Sequence, residues 1–82
     1  MPSPTSTADP ALGTAVRRLR SERGLTIEAL ATRAGVTIST VSQLERAKSE
    51  PGWMTVRRVA EALDLGLAEF GEAVEAAGRG KP

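Results

Sequence analysis

Cysteine, histidine and tyrosine are absent from this 82-residue sequence, and its aromatics are reduced to one tryptophan and one phenylalanine. Without Cys or His, neither a disulfide nor the usual zinc ligands can staple a small fold. The same absences remove the cysteine nucleophile and the histidine general base, which leaves carboxylates, Lys, Arg and Ser/Thr as the groups for any catalysis. An enzyme is therefore not expected, and no cofactor or metal is implied. No apolar run approaches the roughly 18 residues needed to span a bilayer, and no charged start followed by an apolar stretch marks a leader. The expectation is a cytoplasmic protein with no membrane partner. The length corresponds to one small domain, which buries only about 60% of its unfolded surface on folding. Stability must then come from regular packing, from a partner subunit, or from both. Abundant Ala, Arg and Gly point to a GC-rich bacterial genome.

Residues 1–10, MPSPTSTADP, contain three prolines and no large apolar residue beyond Met1. That composition cannot offset ordering entropy, and it predicts a flexible N-terminal arm. A flexible C-terminal tail is expected over 77–82, leaving 11–76 as the domain. Within it, Asp9-Pro10 forms a helix-start signal, and Leu12, Ala15, Val16 and Leu19 follow amphipathic spacing as far as Gly24. Thr26 caps a short second helix with Ile27, Leu30, Ala31 and Ala34 on one face, ending at Gly35. Thr37 caps a third, with Val41 and Leu44 inward and Val36 packing just ahead. Lys48-Ser49-Glu50-Pro51-Gly52 is turn chemistry. A fourth helix from about Trp53 carries Val56, Val59, Ala60 and Leu63, and Gly66 separates it from a fifth with Leu67, Phe70 and Val74. No segment alternates as a strand does, so the fold class is all-α with five short helices.

Residues 27–46, IEALATRAGVTISTVSQLER, have the form of two helices joined by a short turn that contains glycine. Ala31 must be small where the second helix of the unit crosses the first, and Gly35 supplies a positive φ that a β-carbon resists. Val36, Val41 and Leu44 fill the wedge between them. Around this unit stand LG..VRRLRSERGLT (Leu12 to Thr26), EALATRAGV (Glu28 to Val36), STVSQLER (Ser39 to Arg46), TVRRVAEALDL (Thr55 to Leu65) after Pro51, and LAEF (Leu67 to Phe70). Together, over about residues 12–71, they resemble the Cro/cI-type (XRE) helix-turn-helix family of DNA-binding regulators. The resemblance implies a compact five-helix lambda-repressor-like domain.

The resemblance also implies roles. The second helix of the motif would enter the major groove, with Thr37, Ile38, Ser39, Ser42 and Gln43 as the base-contacting set. Gln43 leads because an amide pairs in a bidentate way with adenine. Ile38 could pack on a thymine methyl or cover the preceding helix. Phosphate contacts are expected from Thr26, Arg33, Arg46 and Lys48. The family often has Gln where Ile27 stands and Gly where Ala47 stands, so one backbone contact is lost and the helix exit is stiffer or slightly strained. Arg20 and Glu45 match a family pair that locks the recognition helix to the first helix. The resemblance further implies a homodimer on a near-palindromic operator. Leu65, Leu67, Phe70 and Val74 are the expected dimer interface, while Trp53 and Met54 are read as core, with a second contact as the alternative.

The charge balance of 11 Lys+Arg against 10 Asp+Glu at first argues against a polyanionic partner. Divided along the chain, residues 1–58 hold nine cations and five acids, and residues 59–82 hold two cations and five acids. Near neutrality is thus a polarity, with a basic helix-turn-helix end and an acidic C-terminal end. The reading is a sequence-specific regulator of transcription, acting on double-stranded DNA as a dimeric repressor. Two alternatives stay open: an antitoxin whose partner is a toxin, with DNA binding for autoregulation, and a helix-turn-helix module used for protein contacts, with a co-regulator as partner.

Overall fold

The computed structural model describes residues 9–79, which form five helices and no strand. They are α1 (Pro10–Glu22), α2 (Ile27–Ala34), α3 (Ile38–Glu45), α4 (Trp53–Ala62) and α5 (Leu67–Arg79). Local chemistry sets the starts. The Asp9 carboxylate accepts from the Ala11 N–H at 2.9 Å, Thr26 Oγ1 from the Ala29 N–H at 2.9 Å, and Thr37 Oγ1 from the Thr40 N–H at 3.0 Å. Each bond satisfies an amide that the helix itself leaves unpaired. Gly35 ends α2 with φ +72°, which turns the chain directly into the cap of α3.

Helix α1 packs against α3 on one side and α5 on the other, and α2 packs against α3 and α4. The core is contributed by all five helices: Val16, Leu30, Val41, Val59 and Leu63 are fully buried, with Leu19, Ala31, Ala34, Leu44, Ala60 and Phe70 around them. Small residues set the closest approaches. A β-carbon on Gly13 would stand 2.6 Å from the carbonyl oxygens of both Leu44 and Glu45, so the C-terminal end of α3 lies directly on the α1 backbone. Two arginines, one at the end of α1 and one on α2, reach the end of α4. Arg23 Nε donates to the Leu63 carbonyl at 2.9 Å, and Arg33 Nη1 donates to that of Ala62 at 3.4 Å. Both satisfy carbonyls that the end of α4 leaves open.

Three expectations are corrected. Trp53 and Met54 are not core, being 61% and 52% exposed. They occupy the first turn of α4, where the inward stripe begins only at Val56, so the tryptophan lies at the edge of that stripe and the methionine outside it. Phe70, expected at a subunit contact, is 3% exposed and fills the core of its own chain. The expected tail from residue 77 is helical through Arg79. Of the expected N-terminal arm, Pro10 is the first residue of α1, and residues 1–8 lie outside the described residues.

Candidate nucleic-acid interface

Helix α3 presents one row to the outside and a second toward α1. Ser39, Gln43 and Arg46 form the outer one, all exposed. The Gln43 amide donates to Ser39 Oγ at 3.3 Å, an i,i+4 bond that holds it along the helix while its carbonyl oxygen and second N–H stay open. Ile38, Ser42 and Glu45, at i, i+4 and i+7, form the row beside α1. Ile38 is 51% exposed and does not belong to the core. Thr37 is exposed, but its oxygen is engaged at the cap and lies 2.8 Å from Thr40 Oγ1.

The inner side of α3 is fixed by Arg20. Its Nε donates to Glu45 Oε2 at 2.6 Å and its Nη2 to Oε1 at 3.0 Å, while Nη1 donates to the Leu25 carbonyl at 2.8 Å. The two side chains are 14% and 5% exposed, so this fork is largely shielded from water. Hydrogen bonding to Glu45 outweighs the opposing effect of burial and raises the arginine above its ordinary value. Stabilisation from a raised base is present below its ordinary pKa and is lost only as pH climbs through the folded one, here in strongly alkaline solution.

The other expected cations separate. Arg46 and Lys48 are exposed at and just after the end of α3. Between them Ala47 has φ +54°, the left-handed exit that favours glycine, closed by a 2.9 Å bond from the Lys48 N–H to the Gln43 carbonyl. Arg33 is instead turned to the end of α4, and the Thr26 hydroxyl caps α2. Ile27 lines a cleft of about 190 Å³ with Arg17, Arg20, Ser42, Glu45 and Arg46. Sequence reasoning passed over Arg17, Gly13 and Arg23. Gly13, Arg17 and Arg20 share the i, i+4, i+7 face of α1 that meets α3, which shows only through the tertiary contact of Gly13 with the Leu44 and Glu45 carbonyls.

The family described as "Helix-turn-helix domain" matches residues 11–73. An uncharacterized HTH-type transcriptional regulator of Methanothermobacter thermautotrophicus is 44% identical over 50 residues, 61% of this chain and 72% of that protein. The HTH-type transcriptional repressor RghR of Bacillus subtilis is 41% identical over 54 residues, 65% of this chain, which spans only 40% of that protein. Among solved structures, the clp gene regulator ClgR of Corynebacterium glutamicum superposes with a TM-score of 0.78 at 29% identity, covering 93% of this chain and 79% of that one. No helix among the described residues is long and apolar enough to cross a membrane. With an exposed, capped second motif helix held rigidly on α1, and with relatives of this kind across most of its length, the chain belongs to the helix-turn-helix family of DNA-binding transcriptional regulators, in its Cro/cI-like (XRE-like) form.

Proposed function

We propose that this regulator is a repressor that binds a near-palindromic operator as a homodimer, with α3 in the major groove of each half-site. The observation that carries the reading is the contrast between the two sides of α3. Its outer side offers Ile38, Ser39 and Gln43 to a ligand, and its inner side is immobilised by the shielded Arg20–Glu45 fork and the Gly13 crossing. A rigidly held reading helix loses little freedom on binding, so its contacts translate into affinity. Gln43 reads an adenine edge, Ser39 and Ser42 reach base or phosphate, and Arg46 and Lys48 contact the backbone.

Selection from random duplexes followed by salt titration tests this reading. An enriched near-palindrome and a steep fall of log K with log salt are expected. No enrichment together with no salt dependence would replace it with a module for protein contacts. Gln43→Ala should relax preference at one base position by about 1–3 kcal/mol. Equal weakening on every sequence would make Gln43 a backbone contact instead.

The homodimer reading is supported by a groove of about 480 Å³ formed by α1, α4 and α5, lined by Leu12, Trp53, Val56, Leu67, Phe70 and Val74. Trp53 and Leu67 are exposed at its edge, and a large aromatic left in water is the kind of group that anchors an interface. In this reading Leu67 and Val74 keep the role expected of them, Trp53 joins them, and Leu65 and Phe70 serve the chain's own packing.

A further inference from the structure

We propose that the apolar groove formed by α1, α4 and α5 is a binding site for a small lipophilic cation, an aromatic or alkyl-substituted ammonium or phosphonium ion, and that its occupation opposes pairing of two copies. The site stands on the groove alone, and the opposition to pairing rests on the homodimer reading above. The groove measures about 480 Å³, within the roughly 300–1,000 Å³ usual for small-molecule sites, and like them it has apolar walls with few polar groups. The buried Phe70 and the exposed Trp53 both line it, so it runs from the core to the surface. Asp9 and Glu75 carry the only charges of its lining, and both are negative. The Asp9 carboxylate accepts one bond, from the Ala11 N–H at 2.9 Å, and keeps acceptor capacity for a second group. Glu75 lies 3.9 Å from Arg79 in a pair largely exposed on both sides, where solvent screens the attraction. The exposed face of Trp53 adds the negative quadrupole of an indole ring, which attracts cations. An anion would meet two like charges here, and a neutral ligand would gain nothing from them.

Gly71 is a second, independent observation. It stands inside α5, where glycine weakens a helix relative to alanine. A β-carbon on it would meet nothing within 4 Å beyond its own helix, whereas on Gly13 and Gly78 it would stand 2.6 Å and 3.3 Å from neighbouring helices. Packing of the single chain therefore does not require glycine at this position. The missing side chain instead leaves the groove open along α5, as a backbone does where a ligand approaches it closely. In an isologous pair, a second copy brings its own Asp9 and Glu75 to the contact, where like charges oppose each other. A bound cation is attracted by the same carboxylates and fills the apolar volume that pairing uses. Binding to the single chain then shifts the balance away from the dimer by mass action.

The test uses the full chain with two probes of nearly equal size and opposite charge, tetraphenylphosphonium and tetraphenylborate. Trp53 is the only tryptophan, so its emission reports on the groove. A saturable change is expected with the phosphonium ion, at an affinity about tenfold or more above that for the borate. Asp9→Asn combined with Glu75→Gln, which keeps a capping side chain at position 9, should remove most of this preference. Gly71→Leu should abolish the response by filling the groove, and Gly71→Ala should weaken it while raising Tm, which guards against a leucine variant that fails to fold. Equal affinity for the two ions, or a phosphonium affinity unchanged by the paired carboxylate substitutions and by Gly71→Ala, would overturn the site. In sedimentation, saturating phosphonium should convert wild-type dimer to monomer and weaken operator binding, while the doubly substituted chain stays paired at the same ion concentration. Phosphonium binding with an unchanged dimer would overturn the opposition to pairing and leave the site standing. A chain that is monomeric at every concentration without ligand would overturn the homodimer reading, and the tryptophan titration would still decide the site.

Discussion

Arg20 shows how one side chain can set the pose of an element that it does not belong to. Its guanidinium spends three N–H groups on fixed acceptors, two on Glu45 at the end of α3 and one on the Leu25 carbonyl in the α1–α2 turn. Removing it leaves a largely buried carboxylate without its partner, which costs about 3–5 kcal/mol in comparable sites. Arg20→Ala should therefore lower the melting temperature and the affinity for operator together. Lost binding with an unchanged melting curve would make Arg20 a DNA ligand instead. Ile38 is the opposite case, an apolar side chain with half its surface unburied at the start of the reading helix. A thymine 5-methyl group is the one apolar feature of the major-groove edge. Replacing single operator thymines by deoxyuridine should weaken the wild type at one position, and Ile38→Ala should abolish that sensitivity. Equal sensitivity in the variant would remove Ile38 from the base-reading set.

At the scale of elements, the exit of α3 carries strain. Ala47 takes a left-handed conformation, φ +54°, that a β-carbon disfavours by about 1–2 kcal/mol. Part of that cost is offset because glycine loses more backbone freedom on folding. Ala47→Gly should thus stabilise the chain by about 1 kcal/mol, read as a rise of about 4–8 °C in Tm for a domain of this size. A fall in Tm would show that the exit is relaxed in solution. The residue stands where the family resemblance expects glycine, so the departure is legible in the sequence. That Lys48 is presented directly after the strained turn, by a bond back to Gln43, is legible only in the structure. The same division holds for α1. Its amphipathic spacing is plain, but its contact with α3 depends on Gly13, whose bare backbone meets the Leu44 and Glu45 carbonyls. Nothing local to Gly13 distinguishes a crossing point from an ordinary helix glycine.

Across the whole molecule, two surfaces stand apart. One is the α3 face with its basic surroundings. The other is the apolar groove of α1, α4 and α5, with the acidic side chains of Asp9 and Glu75 at its lining. This arrangement gives spatial form to the opposed charges of the two parts of the chain. In the proposed homodimer each copy reads half a site, and affinity depends on the second copy. Trp53→Ser should leave the monomer's melting curve nearly unchanged, because the side chain is 61% exposed, while weakening self-association in sedimentation and making operator binding more concentration-dependent. Intact self-association in this variant would place the dimer contact elsewhere. A large loss of Tm measured under dissociating conditions would return Trp53 to the fold of the single chain.

Helix count, helix starts and the helix-turn-helix unit were determined by the sequence alone, because caps such as Thr26 and Thr37, the positive φ of Gly35 and the apolar spacing act over a few residues. The pair Arg20–Glu45 was also within reach, through family resemblance. The tertiary structure decided what depends on distant packing. It assigned Phe70 to the core and Trp53 to the surface, since both are equally apolar and only the crossing of α4 and α5 distinguishes inside from outside. It turned Arg33 and Arg23 onto the end of α4, whose open carbonyls come from residues 29 and 40 positions away in the chain. It also placed Arg17 and Arg46 on one cleft, because α1 and α3 meet only when Gly13 lets their backbones touch.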